Sequence, residues 1–388
     1  MNNIICVWAC SWHGLTQRHQ QIMRRLAEKT LVLYVESPMD VSTLCKTIFL
    51  KKISLKQVFK QAIFGYALND KLIIYTPLVP FSLRRYPVLN KIWMCLFRRY
   101  LGFLTWKWKV QNYILFICYP LAEELVGSLN EVLSCYDCCD DLTDISGTLS
   151  GIVNEYELRL VKKVDLILTT TPVLVEKFRR LHNRILLIPN AADVEHFMQA
   201  VNCNLQCPDD LKNISKPIIG FVGAVQHWVD TPLLKEIAKL RPHWNFVIIG
   251  PVHNACSDLY MYKNLHFLGR KPYHALPAYL KHIQVGIVPF KQKKIVFAAD
   301  PIKIYEYLAS GLPVVSTPMP KLKDFLDLVR IAETPMEFVK QIEDALHDNS
   351  AEAIMKRVNF AKEHSWDKRV EQLVLALNKT LWETSEHK

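Results

Sequence analysis

The 388-residue sequence predicts two α/β domains, each built on a mostly parallel sheet that is covered by helices on both faces. Short, almost continuously apolar runs alternate with segments of helical periodicity along most of the chain. Strands that are apolar along their whole length are typical of parallel sheets buried on both sides. The chain is longer than one hydrophobic core normally supports, and a polar, irregular stretch at 199–216 divides the alternation in two.

The first half contains apolar runs rich in β-branched and aromatic residues, which is the composition of strands. The predicted strands are Ile4–Ala9, Leu31–Val35, Leu72–Tyr75, Tyr113–Cys118, Val132–Tyr136, Leu166–Thr169 and Ile185–Ile188. Helical patterns lie between several of them, at Gln17–Glu28, Glu155–Lys163 and Pro172–Leu181. These elements define an N-terminal domain at residues 1–198, followed by a linker at 199–216.

The same alternation resumes after the linker. The predicted strands are Pro217–Val222, Phe246–Ile249, Leu265–Leu268, Val285–Pro289 and Pro313–Ser316. The predicted helices are Thr231–Leu240, Tyr273–Lys281, Pro301–Ser310 and Glu352–His364. Residues 217–365 therefore form a C-terminal domain, and we expect a last helix at 366–388 to pack back on the N-terminal domain. Ligands of doubly wound sheets bind at the carboxyl ends of the strands, so site residues are sought there.

Composition indicates a soluble or peripheral protein of the cytoplasm. The N-terminal residues form a strand pattern, and no apolar run reaches the roughly 18 residues of a transmembrane helix. The 11 cysteines are scattered through apolar segments, which is typical of free thiols in a reducing compartment. Cys135 and Cys138 form one CxxC, but no second pair stands at zinc-ribbon spacing, so no metal site is predicted.

The positive charge is concentrated in one segment. Residues 41–122 contain thirteen Lys and Arg and a single acid, Asp70, a net charge of +12, so the rest of the chain sums to about −1 against the total of +11. Aromatic residues alternate with these bases, and we call residues 41–122 the basic aromatic segment. Such a segment suits an anionic membrane surface, with nucleic acid as the competing anionic partner and a solvated outer face as the third alternative. We favour a membrane, at the inner face of the cytoplasmic membrane, and expect no nucleic acid partner.

The strongest local motif lies at residues 300–316, DPIKIYEYLASGLPVVS. Asp300 is predicted to cap a helix and Pro301 to be its first residue. The N-terminus of a helix offers unpaired N–H groups and a positive dipole end, which suit a phosphate. Lys303 and Glu306, three residues apart, share one face, so the lysine is expected to meet phosphate and the glutamate to meet sugar hydroxyls. The alternative is a salt bridge on a solvated face.

This motif resembles the donor-binding helix of glycosyltransferase family 4, the group 1 retaining enzymes of GT-B fold, in the branch with a Pro-x-Lys-x-x-Glu-Tyr motif. The resemblance implies two facing Rossmann-like domains and places Glu306 at the second position of the family's Glu-x7-Glu pair. The first position is Ala298, so Asp300 or Lys303 is expected to take over its sugar contact. The resemblance further implies sugar transfer from a nucleotide-sugar donor to a glycan or lipid-linked acceptor, with retention, without metal or cofactor, in surface polysaccharide or glycolipid assembly.

Two further segments extend the resemblance. Residues 218–225 resemble the first strand and loop of the family's C-terminal domain, where Gly223 lets the backbone approach a phosphate. Many members follow this glycine with an arginine and a lysine, whereas this chain has Ala224 and no nearby lysine. Lys303 and either Arg270 or Lys271 are therefore expected to carry the diphosphate charge. Residues 188–193 resemble the family's Pro-Asn-Gly-Val-Asp turn near the domain junction.

Candidates for the acceptor side follow predicted strands of the N-terminal domain. His13 and Gly14 lie in the loop after the first strand, and Arg18 opens the next helix, where each could contact acceptor or phosphate. Asp140 and Asp141 follow a later strand and could orient an acceptor hydroxyl. Loop solvation or helix capping is the alternative for all of them. The candidate catalytic residues are Glu306, Asp140, Asp141 and His13.

Two other functions remain open. A nucleotide-sugar epimerase of the same fold would have a donor site but no acceptor surface. A non-catalytic scaffold of GT-B fold is suggested by Ala298 and the missing loop cations, and it would bind no nucleotide. An NAD-dependent enzyme is disfavoured because no Gly-x-Gly-x-x-Gly follows a predicted strand.

Overall fold

The computed structural model describes residues 1–40, 44–45, 54–79, 87–142, 150–325 and 327–386. The chain divides into two compact units, the first made of Met1–Pro189 and Val370–Lys388 and the second of Asn190–Arg369. Residues 199–216 belong to the second unit. Parts of the basic aromatic segment, at 41–43, 46–53 and 80–86, lie outside the described residues.

The first unit is organised around an eight-stranded sheet in the order β10-β9-β8-β7-β1-β2-β5-β4, with β3 and β6 forming a separate pair. The strands are β1 Asn3–Ala9, β2 Val32–Glu36, β3 Met39–Asp40, β4 Tyr66–Asn69, β5 Leu72–Tyr75, β6 Leu78–Val79, β7 Tyr113–Ile117, β8 Leu133–Cys138, β9 Leu166–Thr169 and β10 Ile185–Leu187. All pairs in the large sheet are parallel except β4 with β5. Strands β2, β5, β7, β8 and β9 are buried along their whole length, as their continuous apolar sequence requires.

The helices of the first unit are α1 Arg18–Lys29, α2 Leu55–Phe64, α3 Pro87–Lys107, α4 Ser150–Lys163 and α5 Pro172–Phe178. A 3₁₀ helix spans Pro120–Leu125. None of the described helices is both long and apolar enough to cross a membrane.

The second unit is built on a six-stranded parallel sheet in the order β13-β12-β11-β14-β15-β16. The strands are β11 Ile218–Val222, β12 Asn245–Ile249, β13 Leu265–Phe267, β14 Val285–Val288, β15 Val314–Ser316 and β16 Val329–Ile331. The helices are α6 Val194–Phe197, α7 Gln199–Asn202, α8 Thr231–Leu240, α9 Leu276–His282, α10 Lys294–Phe297, α11 Ile302–Ala309, α12 Pro335–Leu346, α13 Ala351–Glu363 and α14 Trp366–Glu386. From Val370 onward, α14 belongs to the first unit.

The predicted fold class is confirmed. Every strand predicted from the sequence overlaps an observed strand, and both large sheets are parallel or nearly so. The strands that were not predicted, β3, β4, β6 and β16, are two to four residues long. Such short segments carry too few residues for an apolar or alternating pattern to stand out.

Candidate functional site

The strand order of the second unit reverses between β11 and β14, because β12 and β13 extend to one side and β15 and β16 to the other. Ligands of doubly wound sheets bind outside the carboxyl ends of the strands at such a reversal. The segments that follow β11 and β14, together with α11 after them, are therefore the place to look for a donor site.

Helix α11 begins one residue later than predicted. Its N-cap is Pro301, and Asp300 does not cap the helix. The Asp300 carboxylate, which is only 4% exposed, instead accepts hydrogen bonds from the Asn190 N–H at 2.6 Å and the Tyr305 hydroxyl at 3.1 Å. The Asn190 amide in turn donates to the Asp300 carbonyl at 2.6 Å. Asp300 thus holds the turn at residues 190–193 against α11, so the predicted capping role was wrong.

Lys303 and Glu306 form an ion pair on one face of α11. The Lys303 Nζ lies 2.6 Å from the Glu306 Oε2, and Glu306 is only 3% exposed. Burial raises the pKa of the Glu306 carboxyl, the nearby Asp193 adds to the rise, and Lys303 partly offsets it. The carboxylate is therefore not part of a solvated face. A nearly buried carboxylate with a raised pKa is a common feature of binding and catalytic sites.

Helix α11 is held against the sheet by Tyr307. The Tyr307 hydroxyl accepts a hydrogen bond from the Val222 N–H, the last residue of β11, at 2.8 Å. On β14, a Cβ added to Gly286 would lie 2.6 Å from the Tyr307 ring, so only glycine leaves room for it. These two contacts fix the helix that carries Lys303 and Glu306 beside the strand reversal.

The loop after β11 has a close backbone contact with the end of β12. The Gly223 N–H donates to the Ile249 carbonyl at 2.9 Å, and a Cβ on Gly250 would lie 2.0 Å from the Gly223 oxygen. Gly250 also has φ of +152°, a conformation that side chains disfavour. Gly223 and Ala224 are half-buried at this junction. The two glycines keep the loop compact where the predicted phosphate contact would form.

The loop after β14 carries lysines that the sequence analysis missed. The Lys291 N–H donates to the Trp228 carbonyl at 2.8 Å, and the Asp230 N–H donates to the Pro289 carbonyl at 2.7 Å, so this loop is joined to the loop after β11. Lys291 is half-buried, Lys293 and Lys294 are exposed, and none of the three ammonium groups forms an ion pair with a described residue. The run of lysines just before the donor helix was the available sequence signal.

Lys271, a predicted phosphate ligand, has an internal partner. Its Nζ lies 2.5 Å from the Asp210 Oδ2, and the Tyr279 hydroxyl donates to the other oxygen of Asp210 at 2.8 Å. The hydrogen bond to Asp210 raises the pKa of Lys271. Arg270 is exposed next to it. Lys271 is therefore engaged by an internal carboxylate, and Arg270 has the more exposed side chain of the two.

Arg18, predicted at the phosphate or acceptor side, is buried in the first unit. Its Nε donates to both oxygens of Asp137, at 3.1 and 3.0 Å, and its Nη1 donates to the Ile188 carbonyl at 2.9 Å. Although burial opposes it, Arg18 and His19 hold the pKa of the Asp137 carboxyl well below its usual range. The structure therefore gives Arg18 internal partners that connect α1 with β8 and the end of β10.

His13 and Gly14 lie in the loop after β1, next to the strand reversal of the first sheet between β1 and β7. His13 is exposed and stacks on the Tyr66 ring at 5.3 Å. The Gly14 N–H donates to the Ser11 carbonyl at 2.8 Å and closes a tight turn, where a Cβ would meet that oxygen. His13 therefore stays accessible to an acceptor, while Gly14 shapes the loop.

Asp140 and Asp141, which follow β8, lie in different surroundings. Asp141 is buried, and its Oδ1 lies 2.9 Å from the Lys177 Nζ. The same lysine contacts Glu157 at 2.7 Å, which makes Asp141 part of a buried ion-pair network. Asp140 is half-buried. Asp141 therefore has an internal ion-pair partner, and a role of Asp140 in orienting an acceptor hydroxyl stays a prediction.

The segment that contains these residues matches a known protein family. Residues 216–348, which contain the loops after β11 and β14 and helix α11, match the family described as glycosyl transferases group 1. The putative teichuronic acid biosynthesis glycosyltransferase TuaH of Bacillus subtilis (strain 168) is 27% identical over 272 residues, which cover 64% of this chain and 67% of that protein.

Several solved structures share the fold along nearly the whole chain. Sucrose-phosphate synthase from Thermosynechococcus elongatus superposes with a TM-score of 0.73 at 12% identity, covering 99% of this chain and 100% of that one. Anabaena Alr3699/HepE, in complex with UDP and glucose, gives 0.66 at 12% identity over 97% and 99%. The α,α-trehalose 6-phosphate synthase from Burkholderia multivorans gives 0.68 at 13% identity over 100% and 98%.

Proposed function

We propose that this chain, whose residues 216–348 match the group 1 glycosyl transferases, moves a sugar from a nucleotide-sugar donor to a hydroxyl of a glycan or lipid-linked acceptor. The observation that carries the donor assignment is the ion pair between Lys303 and the nearly buried Glu306 on α11. In this proposal the donor diphosphate meets Lys303 and the N–H groups that begin α11, and Glu306 accepts hydrogen bonds from sugar hydroxyls.

Burial argues against a purely stabilising role for this pair. Burying a carboxylate costs several kcal/mol of desolvation, and one ion pair often fails to repay it, so buried pairs are weak contributors to stability. Glu306 nevertheless remains nearly buried and has a raised pKa. A carboxylate that is shielded from water forms stronger hydrogen bonds with a bound sugar than one in water. The burial of Glu306 would therefore strengthen binding of the donor.

The lysines of the loop after β14 complete the proposed donor site. Lys291, Lys293 and Lys294 compensate for the cations that group 1 relatives often carry after the glycine of the first loop, where this chain has Ala224. Fixed positive charge near the leaving diphosphate stabilises the charge that develops as the glycosidic bond breaks. With this charge supplied by lysines, we propose that transfer needs no divalent ion. Retention of anomeric configuration is proposed from the resemblance to the retaining group 1 enzymes alone.

The proposed product is a surface polysaccharide or glycolipid. TuaH is named for teichuronic acid biosynthesis, and Alr3699/HepE was solved with UDP and glucose. At 12% identity, the similarity to Alr3699/HepE shows only that the two proteins share a fold. Together they make a uridine diphosphate sugar the first donor to test and an extended glycan the first acceptor.

The membrane part of the proposal rests on an exposed apolar face of α3. The exposed apolar residues of this helix are spaced four, four, seven and three positions apart, which places them on one side of it. They are Val88, Ile92, Leu96, Phe103 and Trp106. Trp106, the most exposed of them, is 75% exposed. Arg99 lies within this face, and Lys91 and Arg98 flank it. We call this set the α3 face.

Helix α2 extends the α3 face. The Tyr100 hydroxyl of α3 donates to the Ala62 carbonyl of α2 at 2.5 Å, so the two helices pack together. Phe59, Ile63 and Phe64 of α2 are exposed, among Lys56 and Lys60. Apolar side chains surrounded by bases are complementary to an anionic leaflet, where the rings enter the interface and the bases meet lipid headgroups. We therefore propose peripheral binding at the inner face of the cytoplasmic membrane, with no nucleic acid partner.

Calorimetric titration of the purified protein with UDP, GDP and ADP tests the donor site. We expect one of the three to bind and Lys303→Ala to weaken that binding at least about 10-fold, because a charge-assisted contact to phosphate is lost. Lys340→Ala, an exposed lysine on α12, is the matched control and should bind as the wild type does. If no nucleotide binds, the scaffold function replaces this proposal.

A second assay separates transfer from epimerisation. The donor that binds is incubated with the enzyme without acceptor, and the sugar is followed by NMR spectroscopy. Conversion of the donor sugar into an epimer at a rate independent of acceptor would replace the transferase proposal with the epimerase function. A donor that stays unchanged until a glycan or lipid-linked acceptor is added supports transfer.

A further inference from the structure

A cluster of metal-ligating side chains lies in the first unit, outside the donor site. The His19 Nε2 lies 3.3 Å from the Asp137 Oδ2 and 3.5 Å from the Cys139 Sγ. The Cys139 Sγ lies 3.7 Å from the same oxygen of Asp137. These three atoms are the members of a His–Asp–Cys group that could hold one ion. Three different ligand types therefore converge on one point.

The spacing of the three atoms fits a tetrahedral zinc ion. Zinc binds imidazole nitrogen and carboxylate oxygen at about 2.0–2.2 Å and thiolate sulfur at about 2.3 Å. At tetrahedral angles, such bonds hold neighbouring ligand atoms about 3.3–3.7 Å apart. The observed separations of 3.3, 3.5 and 3.7 Å agree with this range.

We propose that the first unit binds a zinc ion through the His19 Nε2, the Asp137 Oδ2 and the Cys139 Sγ. Cys10 and Cys118 interact with the His19 ring but do not belong to the group of converging ligand atoms, so the fourth position of the ion would be open to water or another small ligand. All 11 cysteines of the chain are free thiols, and no disulfide competes for these sulfurs. The Asp137 carboxylate and the Cys139 thiolate would be the anionic ligands of the ion, and the zinc would share the Asp137 carboxylate with the Arg18 guanidinium, whose Nε lies 3.0 Å from the Oδ2.

The surrounding residues hold the ligands in place. Asp137 accepts hydrogen bonds from the Arg18 Nε, and the Thr170 hydroxyl donates to the Cys139 carbonyl at 2.9 Å. Partners of this kind orient the ligands of metal sites. His19 lies in the first turn of α1, and Asp137 and Cys139 lie at the end of β8, so the ion would join this helix to the sheet. The proposed ligands lie in the first unit, whereas the residues proposed for donor binding lie in the second.

The CxxC at Cys135 and Cys138, considered at the sequence level, is not this site. Cys138 is buried and contacts Glu157, and Cys135 is buried within β8. Asp137 and Cys139 are two positions apart, but the third ligand, His19, stands 120 positions before Cys139. The site therefore becomes visible only in the folded unit.

Metal content tests the proposal. Untagged protein is equilibrated with zinc, desalted and measured by elemental mass spectrometry. We expect about one zinc ion per chain in the wild type and loss of the ion in His19→Ala and Cys139→Ser. Cys138→Ser, which changes a buried neighbouring thiol, is the matched control and should keep the ion. Zinc retained by Cys139→Ser, or absent from folded wild-type protein, overturns the proposal.

Cobalt provides a readout that does not depend on the variants folding. Co²⁺ added to the wild-type protein should give the visible bands of a tetrahedral site and a thiolate-to-cobalt absorption, and zinc should displace it. A folded wild type that shows neither band leaves His19 as a simple ion-pair partner of Asp137 and overturns the metal site. The donor titration is independent, since its residues lie in the second unit.

Discussion

The Lys303 ammonium lies 2.6 Å from the Glu306 carboxylate, in a place where Glu306 is only 3% exposed. The pair stands on the helix that follows β14, beside the strand reversal of the second sheet. A surface pair at this spacing would contribute a few tenths of a kcal/mol to the helix. The burial of Glu306 instead places a carboxylate of raised pKa next to a cation, which is the arrangement expected of a donor site.

Replacing Glu306 with glutamine should separate activity from stability. Glu306→Gln keeps the shape of the side chain but removes the charge that accepts sugar hydroxyls, so we expect the rate of transfer to fall about 100-fold or more. Because the pKa of Glu306 is raised in the folded state, folding favours the protonated carboxyl. The stability that this provides is present at low pH and is lost as the pH rises through the raised pKa, so the charged carboxylate does not stabilise the fold at neutral pH. The free energy of unfolding at neutral pH should therefore not decrease. Initial rates and thermal unfolding measure both quantities.

The control for this variant is Glu333→Gln, an exposed glutamate of the same unit. It should leave both the rate and the unfolding curve unchanged. A Glu306→Gln enzyme with wild-type rates would show that the carboxylate does not contact the donor.

The pH dependence of transfer should report on the same pair. Because burial raises the pKa of Glu306, the rate should decline on the acid side at a higher pH than the value of about 4.3 for a free glutamate suggests. Lys303 lowers this pKa, so Lys303→Met should move the acid limb to still higher pH. Profiles of kcat/KM against pH for the two enzymes check this. A limb that moves to lower pH in the variant contradicts the assignment.

The lysines after β14 should contribute to binding of the donor diphosphate. Lys291→Ala removes a half-buried ammonium that forms no ion pair with a described residue, and we expect nucleoside diphosphate affinity to fall about 10-fold. The difference from wild type should shrink at high salt, since screening weakens an interaction with exposed phosphate. Titration calorimetry at two salt concentrations measures it, with Lys362→Ala on α13 as the control. Equal affinities at low salt would remove the loop from the donor site.

Much of the fold could be predicted because apolar runs encode buried parallel strands locally. The details of the site depended on contacts between residues far apart in sequence. Asp300 is drawn away from capping by Asn190, 110 positions earlier, and Lys271 is held by Asp210. The pairing of His19 with Cys139 joins residues 120 positions apart. No local periodicity contains such pairings, so the sequence could not reveal these partners.

The lysine run at 291–294 was missed for another reason. It has no helical or alternating period, and an isolated group of lysines is usually a solvated surface. These lysines become candidates for the donor site only because hydrogen bonds join their loop to the loop after β11, for example the bond from the Lys291 N–H to the Trp228 carbonyl.

The contact between Gly223 and Gly250 should be intolerant of a side chain. In Gly250→Ala the new Cβ would lie 2.0 Å from the Gly223 oxygen, at a φ that alanine disfavours, so both backbones must shift. We expect a loss of about 2–4 kcal/mol in the free energy of unfolding of the second unit. Gly102→Ala, in α3 with no atom near its Cβ, should be neutral or slightly stabilising. Urea unfolding curves compare the two, and equal midpoints would contradict the proposed clash.

The α3 face should bind anionic membranes through both its bases and its rings. Arg98→Gln combined with Arg99→Gln removes two charges, each worth about 1 kcal/mol near an anionic surface, so vesicle affinity should fall about 30-fold. Trp106→Ala should weaken binding even at high salt, because the loss is of apolar contact. Cosedimentation with phosphatidylcholine vesicles, with and without phosphatidylglycerol, measures both effects.

Matched controls come from other exposed helices. Lys340→Gln with Lys362→Gln removes two charges from the second unit, and Trp382→Ala removes a ring that is 62% exposed on α14. If membrane binding belongs to the α3 face, these changes should leave vesicle affinity intact. A general effect of net charge would instead lower vesicle affinity equally in the double variant of Arg98 and Arg99 and in the double variant of Lys340 and Lys362. Wild-type protein that sediments with neither kind of vesicle would remove the membrane from the proposal, and the acceptor would then be sought among soluble glycans.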